Sequence, residues 1–222
     1  MATAMNAPPL ARRALLLAGI GGAVATVAGL WSARRRGAAD PWIDAPPELQ
    51  ALLWPQPRPI ADFELRTQRG EPFGLAQLRG QWNLLYFGYL QCPDVCPTTL
   101  QSLSGLRRLL QAEALPGPVP RFVFVSVDPG NDTAQRIDAY LGYFDRELVG
   151  ASGDQAQLER LAGSLGVMYA AHGDAHGVRS MDHTTAIIVV DPLGRGVAAL
   201  PGPHQPQSMQ RQFALLRRHL GG

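Results

Sequence analysis

The sequence contains no lysine. Its 20 basic residues are all arginine, set against 18 acidic residues. The two side chains differ in chemistry site by site, so a total absence of one reports on composition rather than on any one site. No internal repeat or low-complexity tract is present, which leaves one globular domain plus an extra segment for 222 residues. The body from residue 40 onward has no basic patch. Nothing there points to nucleic acid as a partner, because phosphate neutralisation needs clustered positive charge. Proline is missing from the whole stretch between Pro129 and Pro192. Cysteine is almost missing: Cys92 and Cys96 are the only two.

Charge is also absent from Ala14 to Trp31, "ALLLAGIGGAVATVAGLW". As a helix this stretch spans roughly 27 Å, just under the hydrocarbon core of a bilayer. Arg12-Arg13 precede it and Arg34-Arg35-Arg36 follow it, with no acid before Asp40. The fifteen basic residues that remain face all eighteen acids, so a basic head of 1–39 precedes a body of about −3. Two readings fit the head. One is a single N-terminal transmembrane anchor with Trp31 at the interface. The other is a signal segment cleaved near Ala23-Val24-Ala25. Either exports the body: to the periplasmic side of a bacterial inner membrane, or free in the periplasm. Two free thiols are at risk of pairing in such an oxidising compartment.

Residues 40–60 are rich in proline and read as an extended linker. The domain proper is expected over 61–222. "ADFELRTQRGEPFGL" reads as a hairpin turning near Gly70. "WNLLYFGY", "RFVFVSVD" and "TTAIIVVD" are apolar runs typical of strands buried on both faces. Leu100, Leu103, Leu106, Leu109 and Leu110 fall at helical spacing. Asp132-Thr133 offers N-cap chemistry for a helix after the second strand, and "DQAQLERLAGSLGV" and "QSMQRQFALLRRHL" read as two more helices. Arg107-Arg108 and Arg217-Arg218 are expected on solvated helix faces. Strand, cysteine loop, helix, strand, helix, hairpin and final helix is the order of a thioredoxin-like three-layer α/β sandwich.

The cysteines then sit where the first central strand hands over to a helix. Pro97 suits the first turn of that helix. The partial positive charge of a helix N-terminus favours thiolate over thiol at Cys96. Thiolate is both a nucleophile and a soft metal ligand, so redox and metal chemistry both fit. Thioredoxin-like oxidoreductases normally place a cis-proline before the strand that faces their cysteines. Here the residues before "TTAIIVVD" are Met181-Asp182-His183. Two thiolates and one imidazole form a ligand set suited to copper, with sulfur favouring Cu(I).

"GYLQCPDVCPTTL", "FVSVDPGNDT" and "MDHTTAIIVVD" together resemble the signature segments of the Sco/SenC family, membrane-tethered copper-binding proteins of thioredoxin fold. The likeness in order and spacing runs over roughly 60–220. It implies that Cys92, Cys96 and His183 hold copper and that Asp128 lies near the ion as a weak ligand or supporting group. It further implies a copper chaperone for the CuA centre of cytochrome c oxidase. The partners would be the CuA-bearing subunit and a periplasmic thiol reductant or copper donor. Leu90-Gln91 depart from the family, which often carries Thr and an aromatic or His there.

Other readings stay open. Cys92 and Cys96 could form a redox dithiol that reduces oxidase cysteines, a redox sensor, or a structural disulfide closing a loop too short to stabilise much. Asp128 could cap the turn at Pro129. His172, His176 and Met181 lie in a glycine-broken loop, as solvated residues or accessory copper contacts. His204 and His219 read as surface residues.

Overall fold

The computed structural model describes residues 41–113, 117–173 and 179–221. The segment read as anchor or signal, and His176 with it, lie outside the described residues. Among the described residues no helix is long and apolar enough to cross a membrane.

The chain forms a mixed α/β fold. Along it run α1 (Pro47–Gln50), β1 (Leu53–Pro59), β2 (Glu64–Thr67), β3 (Pro72–Gly74), α2 (Leu75–Leu78) and β4 (Asn83–Gly88). Then come α3 (Val95–Ala112), β5 (Arg121–Ser126), α4 (Ala134–Phe144), β6 (Val149–Ser152) and α5 (Gln155–Leu165). The chain closes with β7 (Tyr169–Gly173), β8 (Arg179–His183), β9 (Ile187–Val190), β10 (Arg195–Leu200) and α6 (Pro206–Leu220). Eight strands make one sheet in the order β1-β10-β9-β4-β5-β6-β2-β3, while β7 and β8 pair apart from it.

The centre of the sheet follows from its apolar runs. Every residue of β4 and β9 is buried, and all of β5 but Arg121. Strands covered on both faces need helices above and below. Parallel pairing of β4 with β5 and of β5 with β6 uses α3 and α4 as crossovers on one face. On that side α6 joins them, with Phe213 edge-on to Trp82 at 5.8 Å. The opposite face is crossed by α5, which touches β1 and β2 near the two ends of the sheet. Leu100, Leu103, Leu106 and Leu110 are the buried stripe of α3. Thr133 caps α4 by accepting from the Arg136 N–H at 3.3 Å, and Asp154 caps α5 by accepting from that of Gln157.

One pairing positions the candidate site. β9 runs antiparallel to β4, with Leu85 opposite Ile188. The start of β9 therefore lies beside the end of β4. Residues just before β9 meet residues just after β4.

The structure departs from sequence expectation in several places. Residues 40–60 are not an extended linker: they hold α1 and the edge strand β1, which pairs with β10. Pro55, Pro57 and Pro59 lack N–H groups, which an edge strand tolerates. Leu49, Leu52 and Leu53 are buried and anchor the stretch. The glycine-broken loop after Tyr169 is a hairpin of five cross-strand pairs, Tyr169↔His183 to Gly173↔Arg179. Arg217 is buried rather than solvated, donating to the Pro118 carbonyl at 3.1 Å and lying over the Phe213 ring. Arg107 forks onto Asp145 at 2.7 and 2.9 Å.

Asp132 caps no helix. It is buried, and its Oδ2 accepts from the Ser126 hydroxyl at 2.7 Å and from the Leu90 N–H at 3.1 Å. It thus ties the cysteine loop to the end of β5. Oδ1 has no partner among the described residues, and burial raises the carboxyl's pKa. A raised folded pKa adds stability only below the unfolded value, and that share is lost as pH rises through the folded one. Asp132→Ala should strand two buried donors and cost about 2 kcal/mol or more, while removing that acid-side share of stability. Urea unfolding at pH 5 and pH 8 checks this; equal midpoints for variant and parent at both values would refute the tie.

Candidate metal centre

Val95 opens α3, so Cys96 lies in its first turn and Cys92 in the loop before it. Both are free thiols and both are buried, Cys96 completely. The helix end does act on a sulfur, but on Cys92: the Cys96 N–H donates to Cys92 Sγ at 3.3 Å. The expectation that the helix end favours a Cys96 thiolate is not met. Burial pushes that thiol up to about 12, against the lowering effect of the Tyr86 hydrogen bond. Desolvation of a buried anion outweighs half a unit charge at a helix end.

Packing at the end of β4 fixes Cys96. Gly88 has no side chain, and a Cβ there would lie 2.9 Å from Cys96 Sγ and 2.9 Å from the Phe124 ring. Only glycine lets the helix start approach the strand this closely.

His183 ends β8 opposite Tyr169 and is half-buried. Its ring stands edge-on to Tyr86 at 6.0 Å and to Tyr89 at 6.1 Å. Nδ1 lies 3.2 Å from the Thr184 carbonyl, an acceptor only, so Nδ1 carries the proton. Nε2 is left with a lone pair, 3.5 Å from Cys96 Sγ across 87 residues of sequence. Burial lowers the imidazole's pKa, which keeps it neutral near pH 7.

The three ligand atoms of Cys92, Cys96 and His183 all lie within 4.8 Å of one another. An ion bound at about 2.3 Å to sulfur and about 2.0 Å to nitrogen, with about 120° between bonds, separates those two ligands by about 3.7 Å. The 3.5 Å found is close to that spacing. Loading needs the thiol protons to leave and only small shifts of the side chains. The second imidazole nitrogen is already bonded to a carbonyl, the usual means of orienting a ligating histidine. The donor set is soft, two sulfurs and one nitrogen, and suits copper. A cleft of about 700 Å³ opens beside His183, with Met168, Tyr169 and Asp182 on one wall and Gln155 and Glu159 of α5 on the other.

Among the described residues, the remaining sequence candidates do not join this group. Asp128 is buried, and its carboxylate accepts from the Asn131 amide at 3.1 and 2.9 Å. Its carbonyl accepts from the backbone N–H of Asn131 and Asp132, so it shapes the turn after β5. His172, 57% exposed, meets Asp182 at 3.0 Å on the hairpin. Met181 is buried in the core. His204 sits 3.0 Å from the Thr185 carbonyl, and His219 of α6 bonds the Pro41 carbonyl. Sequence reasoning passed over Tyr86, whose hydroxyl donates to Cys96 Sγ at 3.5 Å. It also missed the tie that Asp132 makes. Alternation along β4 could have placed Tyr86 and Gly88 on one face, but not on the face toward the cysteines.

The SCO1/SenC family model matches residues 55–216. A protein of Stutzerimonas stutzeri is 33% identical over 164 residues, 74% of this chain and 79% of that one. The mitochondrial SCO2 homolog of Bos taurus is 38% identical over 135 residues; these are 60% of this chain but only 50% of the bovine one. Bradyrhizobium japonicum ScoI with copper bound superposes at a TM-score of 0.63 with 33% identity, covering 72% of this chain and 98% of that structure. Arabidopsis thaliana ScoI with copper bound gives 0.66 and 27% identity, covering 71% and 98%. The matched span starts within β1, ends within α6 and encloses both cysteines and His183, and the chain belongs to the SCO1/SenC family.

Proposed function

We propose that this chain is a copper metallochaperone, taking up one copper ion on Cys92, Cys96 and His183 and passing it on by ligand exchange. The observation that carries the reading is the convergence of two thiols and one preoriented imidazole in a buried corner. Solved relatives with copper bound support the choice of ion. The recipient we propose is the CuA centre of cytochrome c oxidase, the role that the family likeness implies. The domain would work on the periplasmic side, held by the apolar segment Ala14–Trp31 or released from it.

A thiol–disulfide reductase is the competing reading, and the adjacent free thiols are what favour it. Reductase chemistry needs a reachable thiolate. Here both sulfurs are buried, and burial keeps Cys96 protonated. An imidazole, not a proline, stands over the pair. Insulin-reduction turnover by the metal-free dithiol would favour the reductase.

Reduced protein titrated with Cu(I) should bind one ion per chain. His183→Ala should weaken binding tenfold or more; an affinity within twofold of the parent would remove His183 from the ligand set.

Affinity should also depend on pH in a fixed direction. Each ligating thiol sheds its proton on loading. With Cys96 at about 12, its proton remains to be displaced throughout the neutral range. The apparent Cu(I) affinity should therefore rise about tenfold per pH unit, or more steeply, between pH 7 and pH 9. His183, lowered by burial, adds no slope there. Competition titrations at three pH values test the slope, and a flat profile would contradict a thiolate site.

In the source cell, deletion of the chain should abolish CuA-oxidase activity, with the protein recovered from the membrane or periplasmic fraction. Full activity in the deletion strain, with copper scarce, would rule out the delivery role.

A further inference from the structure

Tyr86 is fully buried on β4, on the strand face that packs against α3. Its hydroxyl lies 3.5 Å from Cys96 Sγ. Thr99, one turn along α3 from Cys96, places its hydroxyl near enough to act on the phenol oxygen. The phenol ring packs at 6.3 Å against Phe124 and edge-on to His183. Gly88 leaves no room for another group between strand and sulfur. The phenol proton points to Cys96.

Cys96 Sγ thus has two polar neighbours of opposite role. His183 Nε2 carries a lone pair and accepts a hydrogen bond from the thiol. Tyr86 donates a hydrogen bond to sulfur. When an ion replaces the thiol proton, the His183 contact becomes a ligand bond through the metal. The Tyr86 bond needs no rearrangement, and it gains strength because its acceptor is now an anion. Cys92 Sγ is matched in kind, since it already accepts from the Cys96 N–H.

We propose that Tyr86 is a positioning residue that stays hydrogen-bonded to the Cys96 sulfur in the loaded site and biases bound copper toward the cuprous state. The proposal rests on the copper reading above. Hydrogen bonds to a thiolate ligand draw electron density from sulfur, and they tune the potential of copper–thiolate centres. Less donation from sulfur disfavours Cu(II) more than Cu(I). The step concerned is Cu(II) plus one electron giving Cu(I), with no bond to Tyr86 made or broken.

The test is Tyr86→Phe, which removes one oxygen and keeps the ring. Copper-loaded parent and variant are titrated with one-electron dyes of known potential, and the thiolate-to-Cu(II) absorption band is recorded. Both should hold one copper. In the variant the band should move to lower energy. The ratio of Cu(I) to Cu(II) affinity should fall about tenfold, a drop of about 59 mV for a one-electron couple. An unchanged band and midpoint would overturn the proposal. Thr99→Val provides a second arm should the first variant fail to fold. It keeps the phenol but frees its rotor, and should shift both readouts the same way by less; no shift there overturns the proposal equally. A parent that binds neither Cu(I) nor Cu(II) sinks the copper reading, and this inference with it. A normal parent band shared by both variants sinks this inference alone.

Discussion

Antiparallel pairing of β9 with β4 is what the rest of the site depends on. The cysteines follow β4, and His183 precedes β9, so this one ladder brings together groups far apart in sequence. Its register is protected on both faces. Every residue of both strands is buried, so a slip by one position would exchange the two face patterns completely. Such a slip would move Tyr86 and Gly88 away from α3 and open the contact between Gly88 and the Cys96 sulfur. The geometry of three ligand atoms is thereby underwritten by ordinary core packing. The ligands do not have to find each other by their own attraction.

Burial then sets the electrostatics. Two thiolates and a neutral imidazole carry two negative charges; Cu(I) leaves one and Cu(II) leaves none. A buried anion is expensive unless hydrogen bonds meet it. The metal-free site avoids the cost at Cys96, whose raised thiol stays protonated. The loaded site meets it with two donors already in place, the Cys96 N–H for Cys92 and the Tyr86 hydroxyl for Cys96. Neither donor has to move when the metal enters. The same arrangement makes the Cys96 thiol a poor nucleophile and a ready ligand, because a metal ion displaces the proton that a disulfide substrate would have to wait for.

Much of this was legible in the sequence, and the misses have physical reasons. The buried central strands, the helix after the cysteines and the meeting of Cys92, Cys96 and His183 all follow from apolar runs and fold order. The edge strand β1 did not read as one, because Pro55, Pro57 and Pro59 mimic a linker wherever only one strand edge is paired. The β7–β8 hairpin was hidden by glycines, which weaken strand signals without forbidding pairing. Asp132 looked like a cap because Asp-Thr before a helix is cap chemistry. Only the distance to Leu90 reveals the other use of its carboxylate. The state of the Cys96 thiol was read from its helix position alone, whereas depth below the surface decided it. Depth depends on the whole fold and has no local signature.

Exposure is graded across the three ligands, and the grading has a direction. Cys96 is sealed, Cys92 is 8% exposed and His183 is half-buried beside an open cleft. Cys96 is also the ligand most firmly packed, gripped by α3, by the absent side chain of Gly88 and by the Tyr86 hydroxyl. His183 sits instead at the end of a two-stranded ribbon outside the main sheet, steadied by the Thr184 carbonyl and two tyrosine rings. The site therefore has a fixed wall and an adjustable wall. Binding an ion uses both, while access to it lies along the adjustable one. A centre meant to keep its metal permanently gains nothing from placing one of three ligands on an outlying ribbon. A centre that must also give its ion up needs one ligand that can be displaced without disturbing the core.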